Sequence, residues 1–190
     1  EVLRNKTLSP YDNYEALRQS LHFVGYEGLS LIAVSGVDMA IWDAIAKAAN
    51  MPLCNFLGGS VGEVKAYNSN GLWLVEIEFL SSEAAELVDE GNFSAIKMRL
   101  GRENFNDDLE AINTVRQAVG EQIKLMVDFN QSLTLDEALN RCHRLDDLNL
   151  TWIEEPLIYD NYEGYSRLTT DIKTPIQLGE NFYGPRELYK

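Results

Sequence analysis

From Val64 onward the chain alternates short apolar runs with longer stretches whose apolar positions recur at helical spacing. The runs Val64–Asn68, Ala95–Leu100, Ile123–Phe129, Leu150–Glu154 and Pro175–Leu178 read as strands. The spacing predicts helices over Ser82–Glu90, Asn106–Val119, Leu133–Leu145 and Tyr162–Leu168. Ser81 or Ser82 can cap the first of these and Ser132 or Thr134 the third, while Gly91 and Gly120 stop the first two. Gly184-Pro185 opens one more helix. Residues 1–60 carry a different pattern, helical throughout. A helix is expected over Tyr11–Val24 and another over Val37–Asn50, preceded by a short apolar run at Leu31–Val34 with Ser35 as its cap. Pro52–Gly59 reads as one compact turn of helix, and Trp42 as a packing anchor.

Regular strand–helix alternation predicts an α/β fold, either a doubly wound sheet or a TIM-type barrel. No glycine-rich phosphate loop follows the first strand, which weakens a dinucleotide-binding assignment. A barrel needs eight strands and typically about 250 residues. Five strands in 190 residues therefore predict part of a barrel, with the chain incomplete.

Alternation assigns the faces. Lys97 and Arg99 share one face of their strand, with Ile96, Met98 and Leu100 on the other. Asp128 and Asn130 share a face of the next, and Trp152 and Glu154 of the one after, leaving Glu155 to point the other way. Asp128, Glu154 and Glu180 close three successive apolar runs at equal intervals of 26 residues. Parallel units bring strand ends to one rim, where three carboxylates would repel one another. A hard divalent cation, most simply Mg2+, relieves that repulsion because it takes oxygen ligands. Such a site suits removal of the proton alpha to a carboxylate, since a cation stabilises the charge that develops on the two oxygens. On register alone Lys97 is the expected base, with its pKa lowered by Arg99 and the metal.

Composition is ordinary for a globular protein, with 45% hydrophobic and 24% charged residues. The formal charge of −14 disfavours nucleic acid and anionic membranes as partners. Cys54 and Cys142 form no CxxC and read as free thiols of a reducing compartment, the cytoplasm. No apolar run of about 20 residues is seen, so no membrane span is expected. The opening Glu-Val-Leu-Arg-Asn-Lys does not read as a signal peptide.

Five motifs carry a resemblance: Gly-Val-Asp-Met-Ala-Ile-Trp-Asp at 36–43, Ala-Ile-Lys-Met-Arg-Leu-Gly at 95–101, Val-Asp-Phe-Asn-Gln-Ser-Leu at 127–133, Trp-Ile-Glu-Glu-Pro at 152–156 and Gly-Glu-Asn at 179–181. In this order they resemble the enolase superfamily, in its mandelate racemase and muconate lactonizing branch, with mandelate racemase-like proteins nearest. The resemblance implies a (β/α)7β barrel behind an α+β capping domain, with residues 1–60 part of the cap and 61–190 the first half of the barrel. It implies Mg2+ on Asp128, Glu154 and Glu180. It implies that Lys97 orients the substrate carboxylate and that Arg99 stands where the family has its lysine base. Ser69 and Asn130 match positions near the substrate, and Tyr67 precedes them. Arginine, with a pKa above about 12, is a poor base, so Arg99 is the notable departure. The family's opposite-face histidine base belongs to later strands that this sequence does not contain. The expected reaction is racemisation or epimerisation of a 2-hydroxy acid, with dehydration of an acid sugar or a non-catalytic metal-binding role as alternatives. A homo-oligomer acting on a small-molecule carboxylate is the expected assembly, and the 190 residues alone are expected to be inactive.

Overall fold

The computed structural model describes residues 2–184 and 187–189. It divides into two compact units, 1–64 with 182–190, and 65–181.

The first unit is helical, with α1 at Pro10–Ser20, α2 at Leu29–Ala48 and α3 at Leu53–Phe56. Trp42 packs edge-on against Tyr11 and Phe56, with ring centroids 5.8 and 6.3 Å apart, which makes it the anchor that was expected. The break predicted between Val34 and Val37 does not form: α2 runs unbroken through Ser35 and Gly36. A glycine inside a helix costs only about 1 kcal/mol, less than interrupting the hydrogen-bond ladder. Ser30, Ser35, Asp38, Asp43 and Lys47 interrupt the apolar positions of this helix, so α2 is not an unbroken apolar run. α2 has 20 residues and a mean hydropathy of 1.6, enough by length and composition to match a membrane span. Of the helix expected after Gly184-Pro185, residues 185 and 186 lie outside the described ones, and Glu187–Tyr189 forms a single 3-10 turn.

The second unit repeats strand and helix: α4 Ile77–Asp89, β1 Ala95–Arg99, α5 Phe105–Val119, β2 Lys124–Asp128, α6 Leu135–Leu145, β3 Leu150–Glu154, α7 Tyr162–Asp171 and β4 Ile176–Gln177. The four strands form one parallel sheet in the order β1-β2-β3-β4. Ile96, Met98, Leu100, Leu125, Val127, Phe129 and Ile153 pack in one core with apolar residues of α4, α5, α6 and α7. Helices therefore cover a single face, as in a barrel and not as in a doubly wound sheet. The opposite face carries Lys97, Arg99, Met126, Asp128 and Glu154, all buried.

The strand predicted at Val64–Asn68 is reduced to one parallel bridge between Asn68 and Ile96. In this register residues 64–66 fall opposite positions ahead of β1, where no ladder hydrogen bond forms among the described residues. Asn68 itself is tied on both sides, its N–H to Ala95 O at 3.0 Å and its carbonyl to Lys97 N at 2.9 Å. α4 starts at Ile77, ahead of the serines expected to cap it. Thr134 does cap α6, in a reciprocal box with Glu137.

Candidate active site

Register sets the site. Arg99 stands beside Asp128, Asp128 beside Glu154, and Glu154 beside Gln177. Since all strands are parallel, these residues line up at the carboxyl ends on the inner face. Lys97, one inward position earlier, places Nζ 3.0 Å from Asp128 Oδ2 and 2.9 Å from Glu154 Oε2. Trp152 Nε1 donates to the same Glu154 oxygen at 3.2 Å. Asn130 donates to Asp128 through its backbone N at 2.8 Å and its side-chain amide at 3.3 Å, so it holds that carboxylate from above.

Burial alone would lower the Lys97 pKa, but its hydrogen bonds to Glu154 and Asp128 and their charges outweigh burial and hold it above the ordinary lysine value. Without a cation, two carboxylates and not Arg99 are its nearest charges. Arg99 is buried, with Nε 3.6 Å from Asp128 Oδ2 and the guanidinium carbon 4.8 Å from the Trp73 ring centroid. Its Nε and Nη1 are enclosed and have no hydrogen-bond partner among the described residues. Arg99 also lines a cavity of about 420 Å³ together with Trp73, Leu74, Phe129, Asn130 and Ser132.

The structure brings Lys97, Arg99, Asp128, Asn130 and Glu154 together and leaves three predicted residues apart from them. Glu180 is exposed, three residues past the end of β4, and no group of three metal-binding side chains is assembled among the described residues. Ser69 is half-buried in the loop after the Asn68 bridge and makes no side-chain hydrogen bond among the described residues. Tyr67 packs edge-on against Trp152, centroids 5.4 Å apart, and lines a cavity with Lys65, Ala95 and Lys124 near the amino ends of the strands. Asp128 and Glu154 do fit a hard cation. They are two buried carboxylates, each with an oxygen directed at one shared positive charge, now supplied by Lys97.

Glu155 is fully buried. Burial raises its pKa, the charges of Glu180 and Asp128 add to this, and hydrogen bonds from Gln131 and Gly179 oppose it. Two features went unassigned in the sequence. Gln131 binds Glu155, and its place one residue past Asn130 is its only signal. Asp108, fully buried in the first turn of α5, accepts from the backbone of Gly101 and Arg102 and pairs with the Arg102 and Arg141 guanidinium groups. It fixes the loop that follows Arg99.

Carboxylates and a lysine on the inner face of a parallel sheet, at the strand ends, with helices outside, define the site of a (β/α)-barrel protein. Residues 80–190 match the enolase C-terminal domain-like family, and residues 9–58 the mandelate racemase / muconate lactonizing enzyme N-terminal domain. The chain belongs to that branch of the enolase superfamily, and its architecture is part of a modified (β/α)7β barrel preceded by a helical capping region. α2 lies wholly within the N-terminal domain match, which reads it as a domain helix and not a membrane span. The arabinonate dehydratase of Saccharolobus solfataricus is 35% identical over 168 residues, 87% of this chain and 45% of that protein. A solved enolase from alpha proteobacterium bal199, with bound magnesium, is 56% identical with a TM-score of 0.93, covering 96% of this chain and 51% of the other. An enolase from Bradyrhizobium in complex with magnesium and mandelic acid is 38% identical with a TM-score of 0.89, covering 97% and 50%. The chain spans about half the length of these relatives. A dehydratase and a mandelate-bound enolase stand side by side among them, so the branch is shown and no single counterpart is.

Proposed function

We propose that this chain belongs to a magnesium-dependent enzyme that removes the proton alpha to the carboxylate of an acid sugar and dehydrates it. The observation that carries this is the Lys97 ammonium held between Asp128 and Glu154 on the inner face of the sheet. When bound, Mg2+ would stabilise the negative charge that develops on the substrate carboxylate as the alpha proton leaves. Asp128 and Glu154, together with Glu180, are the residues that would hold it. Lys97, charged and fixed by strand register, then offers its N–H groups to a substrate carboxylate oxygen.

Dehydration is preferred over the racemisation that the motifs placed first. Racemisation needs a proton-transferring group on each face of the alpha carbon. Arg99 occupies one of those places, and arginine is a poor general base. Chemistry from one face is enough for dehydration. A base outside the described residues takes the alpha proton, the C–H electron pair forms the C=C bond as the beta C–O bond breaks, and the same group returns the proton to the departing hydroxide, which leaves as water. The enol product takes up a proton to give a 2-keto-3-deoxy acid. The dehydratase relative supports the same choice, while the relative crystallised with mandelic acid keeps 2-hydroxy acid racemisation as the second reading.

A homo-oligomer in the cytoplasm accompanies the proposal, with the free Cys54 and Cys142 in keeping with a reducing compartment. Proton NMR of the full-length protein in D2O, with Mg2+ and a panel of acid sugars and 2-hydroxy acids, tests it. A new 2-keto-3-deoxy acid is the expected result. Alpha-proton exchange with inversion and no new product would instead establish a racemase or epimerase.

A further inference from the structure

One amide side chain touches the chain neighbours of two of the three assigned carboxylates and lies three residues past the third. Gln131 Nε2 donates to Glu155 Oε2 at 2.6 Å and to Asn181 Oδ1 at 2.7 Å. Its Oε1 accepts from Tyr159 N at 3.0 Å, and its backbone N donates to Glu155 O at 2.7 Å. Both side-chain N–H groups and the side-chain carbonyl are thereby engaged, and the amide can face only one way, with nitrogen toward two oxygens and oxygen toward an N–H. Glu155 follows Glu154 directly, Asn181 follows Glu180 directly, and Gln131 itself lies three residues past Asp128.

The loop bearing Glu180 is held from both sides. Glu155 Oε1 accepts from Gly179 N at 3.4 Å, while Gln131 holds Asn181. Gly179 has φ of 132°, a conformation that glycine adopts far more readily than other residues. Asn130, Gln131 and Glu155 also have positive φ, 46°, 64° and 37°. Non-glycine residues keep such angles only where their surroundings over-determine them, and the Gln131 hydrogen bonds supply that constraint.

We propose that Gln131 is a positioning residue that sets the mutual separation of Asp128, Glu154 and Glu180, and so tunes divalent-cation affinity without touching the cation. This rests on the assignment of those three residues as cation ligands in the proposed function. Gln131 has no N–H left for a substrate, so its effect travels through Glu155 and Asn181.

The test is isothermal titration calorimetry of the full-length protein with Mg2+ alone, paired with thermal melts in the absence of metal. Gln131→Glu keeps the shape and the acceptor for Tyr159 N but loses both donors. It is expected to raise the Mg2+ Kd about 10- to 100-fold, the range for groups that orient metal ligands, in protein whose metal-free melt is lowered by the carboxylate now facing Glu155 but remains cooperative above the titration temperature. Asn181→Ala removes only the link to the Glu180 loop and is expected to weaken binding several-fold. Wild-type affinity in both variants would overturn the proposal. Wild-type protein that binds no Mg2+, or binds it equally with Asp128→Asn, would overturn it through the ligand assignment and is recognisable as a failure of the proposed function itself.

Discussion

Lys97 holds two buried carboxylates that nothing else in the described residues neutralises as directly. Removing one partner of a buried ionic cluster typically costs about 3–5 kcal/mol because the remaining charges lose their compensation. Lys97→Ala is therefore expected to lower metal-free stability by an amount of that order. Because a ligand that binds only the folded state stabilises it, adding Mg2+ should restore more stability to this variant than to wild type. Urea unfolding with and without Mg2+ measures both. At Arg99, the absent base can be restored chemically. Arg99→Lys places a titratable amine at that position, and the expected outcome is new alpha-proton exchange from that face, read by deuterium incorporation in recovered substrate. No gain would mean the position does not reach the alpha carbon. Cys142 is fully buried, and its burial pushes the thiol pKa up to about 12, whereas Cys54 is exposed. Alkylation of the native protein at pH 8 followed by peptide mapping should label Cys54 and spare Cys142 until unfolding.

Elements are joined by a few buried acids. Asp146 ends α6 and accepts from Lys173 N, Thr174 N and the Thr174 hydroxyl at 2.9–3.1 Å, fixing the turn into β4. Burial alone would raise its pKa, but the Thr174 and Lys173 backbone hydrogen bonds outweigh this and hold it below its ordinary value of 3.8. A depressed carboxylate contributes stability that is present above its unfolded pKa and is lost as pH falls through the folded value. Wild type should therefore lose stability below about pH 4 more steeply than Asp146→Asn, in chemical denaturation repeated across pH. At neutral pH the variant should be less stable by roughly 1–3 kcal/mol, because N–H groups lose a charged acceptor.

At the scale of the molecule, the β1 edge of the sheet is covered by Asn68 and Leu72, whereas the β4 edge is open among the described residues and β4 offers only two residues of ladder beyond β3. Unpaired strand edges template association. Large apolar side chains also stand exposed in both units, including Phe23, Leu29, Trp73 and Phe79. A polypeptide of these 190 residues expressed alone is expected to associate with concentration in light scattering and to show no alpha-proton exchange.

The elements were legible because their signals are local. Period-two alternation placed Lys97, Arg99, Asp128 and Glu154 on one face, and β3 runs over Leu150–Glu154 as read. The same local logic failed where a partner was missing or a break proved unnecessary, at Val64–Asn68 and within α2. Which residues meet was decided only in three dimensions. The Lys97–Glu154 contact spans 57 positions and depends on the register of three strands. The direction of the Lys97 pKa follows from that contact, not from its sequence neighbour Arg99. The exposure of Glu180 and the reach of Gln131 across 50 residues to Asn181 depend on loop conformations with positive φ at non-glycine residues. Spacing along a chain determines which face a side chain takes, because backbone geometry repeats. It does not determine distance across a site, because that is fixed by hydrogen bonds between loops that the sequence leaves far apart.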